Sequence, residues 1–309
     1  MSLFVTVPTD RLAEDIGPLP DGVDLHVWDM ASPAPRERID IVVPPYMGGS
    51  SGLDALAGLD IGLVQSQSIG YDGVSATLPP GLAFANASSV HETSTAELAL
   101  ALTLAAQRQL PRFVLAQQEG QWSPVFADSL ADRRVLLVGF GGVGEAIALR
   151  LEPFDVDLTV VARRARPIWH ERLGKVDVHA IDELPGLLAD AEIVILALPG
   201  GDETHHLFSD DLLARMADDA LLVNVGRGTL IDSDALVRQG GRIRAALDVV
   251  DPEPLPAEHP LWRTDGVLIS PHVGGASTAM TPRIARLVRT QIERMLQGKA
   301  PVNVVIAGG

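Results

Sequence analysis

The chain has 309 residues, of which 47% are hydrophobic and 21% charged, a composition typical of a globular protein with about two domains. Its 24 Lys and Arg against 40 Asp and Glu give a formal net charge of -16, and a negative field repels phosphate backbones and anionic lipid. Nucleic acid and membrane surfaces are therefore not expected partners. The lack of any cysteine excludes disulfides, thiolate metal sites and a cysteine nucleophile.

The sequence predicts a cytoplasmic location. Its first residues, MSLFVTVPTDRL, lack the basic stretch, apolar core and small-residue cleavage site of a signal peptide. The most apolar segment, 96–106, is shorter than the about 18 residues that a membrane-spanning helix needs. The absence of cysteine also suits a reducing compartment.

The first third of the chain alternates short apolar runs with turn-rich segments, a pattern typical of parallel strands separated by helices. The predicted strands are 3–8, 25–28, 39–45, 59–66 and 82–86. One long helix is predicted over 92–118. Because the first half of this helix is apolar on nearly every side, we expect it to be buried between domains or subunits.

From residue 134 the alternation of strands and helices is clearer, which predicts a doubly wound parallel sheet. The predicted strands here are 134–140, 158–163, 193–199, 220–226, 243–249 and 266–271, with helices at 143–151 and 232–239. A last helix, 278–297, precedes an apolar run, 302–306, that would return to the first domain. The predicted domains are therefore 96–276 and a discontinuous one made of 1–95 and 277–309.

A glycine-rich turn follows the strand at 134–140 and opens the next helix. Gly139, Gly141 and Gly144 have the GxGxxG spacing, in which the first glycine permits a tight turn, the second lets backbone approach a pyrophosphate and the third lets helix and strand pack closely. Gly142 and Val143 complete the turn, where the helix amino terminus favours an anion. A plain tight turn is the alternative, but the strand–turn–helix context favours dinucleotide binding.

The end of the following strand indicates which dinucleotide is bound. NAD sites usually carry an acidic residue there to hold the ribose 2′-hydroxyl. This chain instead has Arg163 and Arg164, with Arg166 close behind, and an arginine can neutralise a 2′-phosphate. NADP is therefore favoured, with NAD as the second choice. The pattern does not choose between Arg163 and Arg164, and a solvated basic turn is the alternative.

Three residues at the carboxyl ends of later predicted strands suit the reduction of a 2-oxo acid. Arg227 offers a planar fork that can hold a carboxylate and polarise the adjacent carbonyl. His272 can protonate the developing alkoxide, and a carboxylate from LDVVDPEPLP, which offers Asp248, Asp251 and Glu253, can keep that histidine charged. Taken singly, each has an ordinary explanation as a surface ion pair, a core histidine or a solvated acid. Their joint occurrence beside a cofactor loop favours the catalytic interpretation.

The sequence resembles the D-isomer-specific 2-hydroxyacid dehydrogenases, which include glyoxylate/hydroxypyruvate reductases, phosphoglycerate dehydrogenases and formate dehydrogenases. The likeness covers nearly the whole chain and is most specific in GFGGVGEAIA, VNVGRGTLID, AALDVVDPEPLP, HPLW and SPHVGG. It implies a Rossmann-type dinucleotide domain and a smaller flavodoxin-like α/β substrate domain. It also implies a homodimer and a catalytic triad of Arg227, Glu253 and His272, because Glu253 follows the LDV aspartate and directly precedes Pro254.

The resemblance further implies contacts to cofactor and substrate. Asp248 would hold the nicotinamide amide, and Thr95, at the helix start STAE, would lie near the cofactor. Backbone contacts to the cofactor are implied for Val225, Gly226 and Gly274. In SIGYDGV, the backbone of Ile69 and Gly70 would cradle the substrate carboxylate.

Three departures from the family pattern bear on specificity. The aspartate expected after the second nucleotide-domain strand is absent, which puts NAD use in doubt. ALPGGDET has glycine where many members have Leu-Thr, beside the adenine pocket. PPYMGGS replaces the usual motif over the substrate, so Tyr46 and Met47 are expected to shape substrate choice.

Other functions fit the sequence less well. GGSSG (48–52) has the spacing of a serine-hydrolase nucleophile elbow, but Pro44-Pro45 interrupts the strand that such an elbow needs. His91-Glu92 and His205-His206 lack the i, i+4 spacing of a helical zinc site, so they are interpreted as polar surface and no metal is expected. The stronger rival is a corepressor-like module that binds a nicotinamide dinucleotide and other proteins without turnover, since fold does not settle function.

Overall fold

The computed structural model describes residues 2–46 and 52–309. The chain divides into two compact units: unit 1 comprises Met1–His91 and Gly275–Gly309, and unit 2 comprises Glu92–Gly274. Among the residues described, no helix combines the length and apolarity needed to cross a bilayer.

The elements follow in chain order. The strands are β1 Leu3–Val7, β2 Val23–Val27, β3 Arg38–Val42, β4 Asp60–Gln65, β5 Phe84–Ala85, β6 Arg134–Val138, β7 Asp157–Ala162, β8 Arg166–His170, β9 Gly174–Ala180, β10 Ile193–Leu196, β11 Leu221–Asn224, β12 Arg244–Leu247, β13 Val267–Ile269 and β14 Val304–Ile306. The α-helices are α1 Asp10–Ile16, α2 Val74–Thr77, α3 Glu92–Gln107, α4 Leu110–Gln118, α5 Gly142–Leu151, α6 Leu184–Leu187, α7 Asp210–Leu213, α8 Ser233–Arg238 and α9 Met280–Leu296. Short 3₁₀ turns lie at Leu53–Leu56, Glu152–Phe154, Ile181–Glu183, Gly228–Leu230 and Pro260–Arg263.

Unit 1 is built on a sheet with strand order β14-β5-β4-β3-β1-β2. Strands β1 to β5 are parallel and follow the order 2-1-3-4-5 of flavodoxin-like folds. Val5 and Phe4 on β1 pack into different apolar clusters, so the sheet is covered on both faces. The predicted return of the carboxyl-terminal run is confirmed, because β14 pairs antiparallel with β5.

Unit 2 is built on a sheet with strand order β13-β12-β11-β10-β6-β7-β9-β8. From β9 to β12 this is the 3-2-1-4-5-6 order of doubly wound dinucleotide-binding folds, and the order reverses between β6 and β10. Leu136 and Leu137 on β6 face separate apolar clusters, so this sheet is also buried on both sides. The predicted fold class, a Rossmann-type sheet with a smaller flavodoxin-like one, is confirmed.

The single helix predicted over 92–118 is wrong, because the chain forms two helices there. Helix α3 ends at Gln107, Gln109 adopts a left-handed φ of 53°, and α4 begins at Leu110. Pro111 explains the break, since proline lacks an N–H and its ring clashes with the preceding helical turn. Helix α3 packs within unit 2 against α5, β11 and β12, whereas α4 buries none of its residues.

The sequence also missed a β-hairpin next to β7. No strand was predicted between 158–163 and 193–199, but Arg166 begins β8, which pairs antiparallel with β9 at the edge of the sheet. Arg166, Pro167 and Trp169 are exposed, so the strand lacks the apolar signature of the buried strands. Proline is tolerated there because an edge strand leaves one row of its N–H groups unpaired.

Candidate active site

The predicted catalytic residues follow strands of unit 2 at one edge of the sheet. Arg227 lies after β11, Glu253 after β12 and His272 after β13, and these three strands are parallel neighbours. The glycine loop follows β6 at the same edge, on the other side of β10. In open α/β sheets, ligands bind outside the carboxyl ends of the strands, near the point where strand order reverses.

His272 and Glu253 form a close pair. The imidazole Nδ1 lies 2.5 Å from Glu253 Oε1, and both side chains remain accessible, 45% and 39% exposed. The hydrogen bond that Glu253 accepts from the ring and the negative charge of Glu253 raise the pKa of His272 above the ordinary histidine value, although partial burial and the positive charge of nearby Arg227 oppose this. The pair therefore favours a charged imidazolium that can donate a proton.

Asp248 holds the backbone that carries His272. Its carboxylate is buried, with the residue only 3% exposed, and accepts a hydrogen bond from Ser270 Oγ at 2.7 Å. It also accepts from the backbone N–H groups of Val273 at 2.9 Å and Gly274 at 2.8 Å. The carbonyl of Asp248 accepts from the His272 N–H at 2.7 Å. Asp248 thus fixes the loop on both sides of the histidine.

This role of Asp248 was not predicted from the sequence, which assigned it only a contact to the nicotinamide amide. Ser270 was missed as well, and its place two residues before His272 in ISPH was the available signal. A carboxylate can accept about four hydrogen bonds, so the three seen here leave capacity for another donor.

The backbone around Arg227 is fixed by Asn224, which the sequence reasoning also missed. Asn224 Oδ1 accepts from the Gly226 N–H at 3.0 Å, and its Nδ2 donates to the Arg227 carbonyl at 2.8 Å. Arg227 Nη1 donates to the Gly226 carbonyl at 2.7 Å. A Cβ on Gly228 would lie 1.8 Å from the Val250 carbonyl oxygen, so the chain passes too close there for any side chain.

The glycine loop has the features that a pyrophosphate requires. Gly139 has a φ of 112°, and a Cβ there would lie 2.5 Å from the Ala197 carbonyl oxygen. A Cβ on Gly144 would lie 2.0 Å from the Gly139 carbonyl oxygen, so both glycines are needed for packing. A Cβ on Gly141 would meet nothing within 4 Å, which leaves open space at the amino terminus of α5. The loop therefore fits a dinucleotide phosphate.

Gly142 and Val143 form the first turn of α5 behind this open space. A Cβ on Gly142 would lie 3.0 Å from Glu92 Cγ at the start of α3, so this position also favours glycine. Val143 is partly buried and packs against the apolar cluster under the helix. Both residues lie where sequence spacing put them, in the turn after β6.

Arg163 and Arg164 lie directly beyond the end of β7. The Gly139 N–H donates to the Val161 carbonyl at 2.8 Å, so the ends of β6 and β7 lie side by side. Both arginines are exposed, and neither forms an ion pair with any residue that the structure describes. Two unpaired cations next to the phosphate loop suit a 2′-phosphate.

The other predicted cofactor contacts are buried near Asp248 and Arg227. A Cβ on Gly274 would lie 2.9 Å from Asp248 Oδ2 and 3.3 Å from Thr95 Cγ2, so these three residues cluster. Thr95 on α3 and Val225 after β11 are both buried. A Cβ on Gly226 would lie 2.6 Å from the Leu198 carbonyl oxygen, so the loops after β10 and β11 touch.

In unit 1, the predicted substrate contacts lie beyond the carboxyl ends of β3 and β4. Asn86 Nδ2 donates to the Ile69 carbonyl at 2.8 Å and pins the loop that contains Ile69 and Gly70. Tyr46 follows β3, and its ring stacks on His91 with centroids 5.7 Å apart. Met47 and most of GGSSG lie outside the described residues.

The interpretation of His91 as polar surface is wrong. His91 is 4% exposed, its Nε2 lies 2.6 Å from the Gln67 carbonyl oxygen, and its Nδ1 lies 3.1 Å from the Gly275 carbonyl oxygen. A Cβ on Gly275 would lie 2.7 Å from His91 Nδ1 and 2.9 Å from the Tyr46 hydroxyl, which explains the glycine. The partners of His91 are distant in sequence, so no local pattern could have revealed its burial.

Comparisons with known proteins show which family the chain resembles. A model of the NAD binding domain of D-isomer specific 2-hydroxyacid dehydrogenases matches residues 100–274, more than half of the chain. Glyoxylate reductase of Thermofilum pendens is 30% identical over 82% of this chain and 76% of that protein. Glyoxylate reductase/hydroxypyruvate reductase of Mus musculus is 29% identical over 97% of this chain and 96% of that protein.

A solved structure resembles the whole chain. It is the NADPH-dependent glyoxylate/hydroxypyruvate reductase from Sinorhizobium meliloti, crystallised with NADP and malonate. The alignment has a TM-score of 0.78 and 28% identity, and it covers 99% of this chain and 97% of that one.

Proposed function

The chain belongs to the D-isomer-specific 2-hydroxyacid dehydrogenase family, and from this premise we propose that it reduces a small 2-oxo acid to the D-2-hydroxy acid with NADPH. Glyoxylate and hydroxypyruvate are the proposed substrates, because both are in the names of similar reductases. The observation that carries the proposal is the His272–Glu253 pair, 2.5 Å apart, next to Arg227 at the sheet edge that also bears the glycine loop.

Unit 2 is the proposed dinucleotide domain and unit 1 the proposed substrate domain. NADP(H) would be held by the loop after β6, with Arg163 and Arg164 toward the 2′-phosphate; NAD(H) is the weaker alternative because no carboxylate ends β7. When bound, the cofactor supplies or accepts the hydride. The remaining proposed contacts to it are Gly139, Gly141, Gly142, Val143, Gly144, Val225, Gly226, Asp248, Gly274 and Thr95.

Arg227 is the proposed anchor for the substrate carboxylate. The chain carries a net charge of -16, so an anionic substrate needs a local cation to offset the general repulsion. A guanidinium can bind a carboxylate through two parallel hydrogen bonds, which also fixes the orientation of the 2-oxo group. The backbone at Ile69 and Gly70 and the side chains of Tyr46 and Met47 are the proposed contacts in unit 1.

His272 is the proposed proton donor in the reduction. Its imidazolium gives a proton to the carbonyl oxygen as negative charge develops there, and Glu253 stabilises the charged ring before transfer. In the reverse reaction the neutral imidazole takes the hydroxyl proton. A binding module without turnover has no use for a histidine whose pKa is raised next to a half-buried arginine, so the enzyme is favoured over the corepressor-like alternative.

The pH dependence of reduction tests this proposal. Steady-state oxidation of NADPH with glyoxylate or hydroxypyruvate should have a kcat/KM that falls as pH rises through the raised pKa of His272. Glu253→Gln removes the negative charge, lowers that pKa and should move the fall to lower pH. Its maximum rate should drop by roughly 10²–10⁴, the usual contribution of general acid catalysis.

Two results would contradict the enzyme assignment. One is the absence of turnover with every 2-oxo acid in a panel, which would favour the binding module. The other is a Glu253→Gln profile with the same midpoint as the wild type, which would mean that the carboxylate does not control the proton donor.

Cofactor preference tests the role of the arginines after β7. Arg163→Asp combined with Arg164→Ala should lower kcat/KM for NADPH by at least about tenfold, because a hydrogen bond to a charged group contributes about 1.5–3 kcal/mol. Efficiency with NADH should stay within about twofold. Arg172→Ala, at an exposed arginine paired with Glu152, is the matched control and should change neither. Equal losses with both cofactors would refute the 2′-phosphate assignment.

We also propose a homodimer that forms through α4 and the segment after it. Leu115 is 64% exposed, and Trp122 and Phe126 are almost fully exposed, so apolar side chains cluster on one uncovered stretch. Large exposed apolar patches mark interaction sites, and a second copy of the chain is the partner that the family resemblance implies.

Sedimentation velocity tests the dimer. The wild type should sediment as a dimer. Trp122→Ser combined with Phe126→Ser should sediment as a monomer, because the substitutions remove the two most exposed aromatic side chains from the segment after α4. Trp169→Ser, at an exposed tryptophan on β8, is the control and should leave the dimer intact. A monomeric wild type, or a Trp169→Ser monomer, would contradict the proposal.

A further inference from the structure

We propose that His205, His206 and Asp251 form a zinc site that is separate from the hydride-transfer chemistry. One imidazole nitrogen from each histidine and a carboxylate oxygen of Asp251 all lie within 4.8 Å of one another. In the part of the chain that the structure describes, no other group of three such side chains is gathered this closely. The sequence pattern did not predict the site, because His205-His206 lacks the i, i+4 spacing of a helical zinc site and Asp251 is distant from the histidines along the chain.

The backbone at His206 explains how two consecutive histidines reach one point. Side chains of neighbouring residues normally diverge, but His206 has a left-handed φ of 49°, which is uncommon for a residue other than glycine. The two rings consequently stack, with centroids 4.0 Å apart. A strained backbone that persists in a folded protein is held by its surroundings and is a feature often found at functional sites.

Backbone hydrogen bonds anchor the two segments that carry the ligands. The His206 N–H donates to the Thr229 carbonyl at 2.6 Å, two residues after Arg227. Phe208, two residues after His206, forms an isolated parallel β-bridge with Ile231. The Asp251 N–H donates to Ser233 Oγ at 3.3 Å, at the start of α8. The three donors therefore lie on two segments, the one that carries both histidines and the one that carries Asp251, and each segment has its own anchor.

The donor set suits zinc better than a hard cation. Two imidazoles and one carboxylate are the ligands of many zinc sites, whereas magnesium and calcium prefer oxygen alone. Zinc bonds of about 2.0–2.2 Å require donors roughly 3–4 Å apart, which small side-chain rotations can achieve from the present spacing. His206 Nε2 and Asp251 Oδ2 are already 2.8 Å apart, so the ion would take the place of their hydrogen bond.

Occupancy of the site would link the two loops that carry the proposed catalytic residues. Asp251 lies two residues before Glu253, and Thr229, which holds His206, lies two residues after Arg227. A shared ion would therefore restrain both loops. A ligand that binds only the folded chain also stabilises that chain, and the stabilisation grows with the ratio of the free ligand concentration to the dissociation constant.

Zinc binding to the untagged, full-length chain tests the site by isothermal titration calorimetry. The wild type should bind about one zinc ion per chain, and saturating zinc should raise its Tm by about 5 °C, an effect that a chelator reverses. His205→Gln should weaken binding at least about tenfold and abolish the Tm shift, because one of three ligands is lost. His205 is exposed, so the substitution should leave the fold intact.

The matched control is His179→Gln. His179 and Glu183 form an exposed pair at 2.9 Å with no third ligand within reach among the described residues, so this variant should bind zinc like the wild type.

If His205→Gln fails to fold, Asp251→Asn gives the same test, and the ring NMR signals of His205 and His206 in the wild type should shift with zinc. No binding, equal affinity in the His205→Gln protein, or a comparable loss in the His179→Gln protein would overturn the proposal and leave an ordinary polar contact. None of these readouts depends on turnover, so they are independent of the proposed reductase activity.

Discussion

The active-site arrangement depends on the hydrogen bonds of one buried carboxylate. Burial of Asp248 is unfavourable unless its oxygens are satisfied, and here the partners are the Ser270 hydroxyl and two backbone N–H groups of the loop after β13. Because these donors belong to the loop after β13, their hydrogen bonds to the carboxylate fix that loop. His272, within that loop, adopts a left-handed φ of 53°, a conformation that persists because the bonds to Asp248 hold the residues on either side. The imidazole is consequently directed to Glu253.

Structural features that depend on short sequence spacing could be predicted. Apolar runs marked the buried strands, since a parallel sheet covered on both faces needs apolar residues at every position. The GxGxxG spacing located Gly139 and Gly144, where any side chain would collide with backbone. Arg227, Glu253 and His272 were predicted as a catalytic group from the family resemblance and because residues that follow parallel strands lie at one edge of the sheet.

Features that depend on contacts between distant segments could not be predicted. His91 was interpreted as surface because its partners, the carbonyls of Gln67 and Gly275, are remote along the chain. The grouping of His206 with Asp251 was missed for the same reason. The break after α3 had a local cause, Pro111, but the apolar pattern continued through it and outweighed the proline signal. Edge strand β8 lacked an apolar pattern because the sheet buries little of it.

The central claim is that the loop held by Asp248 keeps His272 beside Glu253 and thereby favours the charged ring. An NMR pH titration of the His272 ring in the free wild-type protein tests this most directly, with the signal assigned by its loss in His272→Gln. The midpoint, which is the pKa of the ring, is expected above the ordinary histidine value of about 6.5, because the hydrogen bond to Glu253 and the charge of Glu253 stabilise the imidazolium. A midpoint at or below that value would contradict it, since the carboxylate could not then be bonded to the ring.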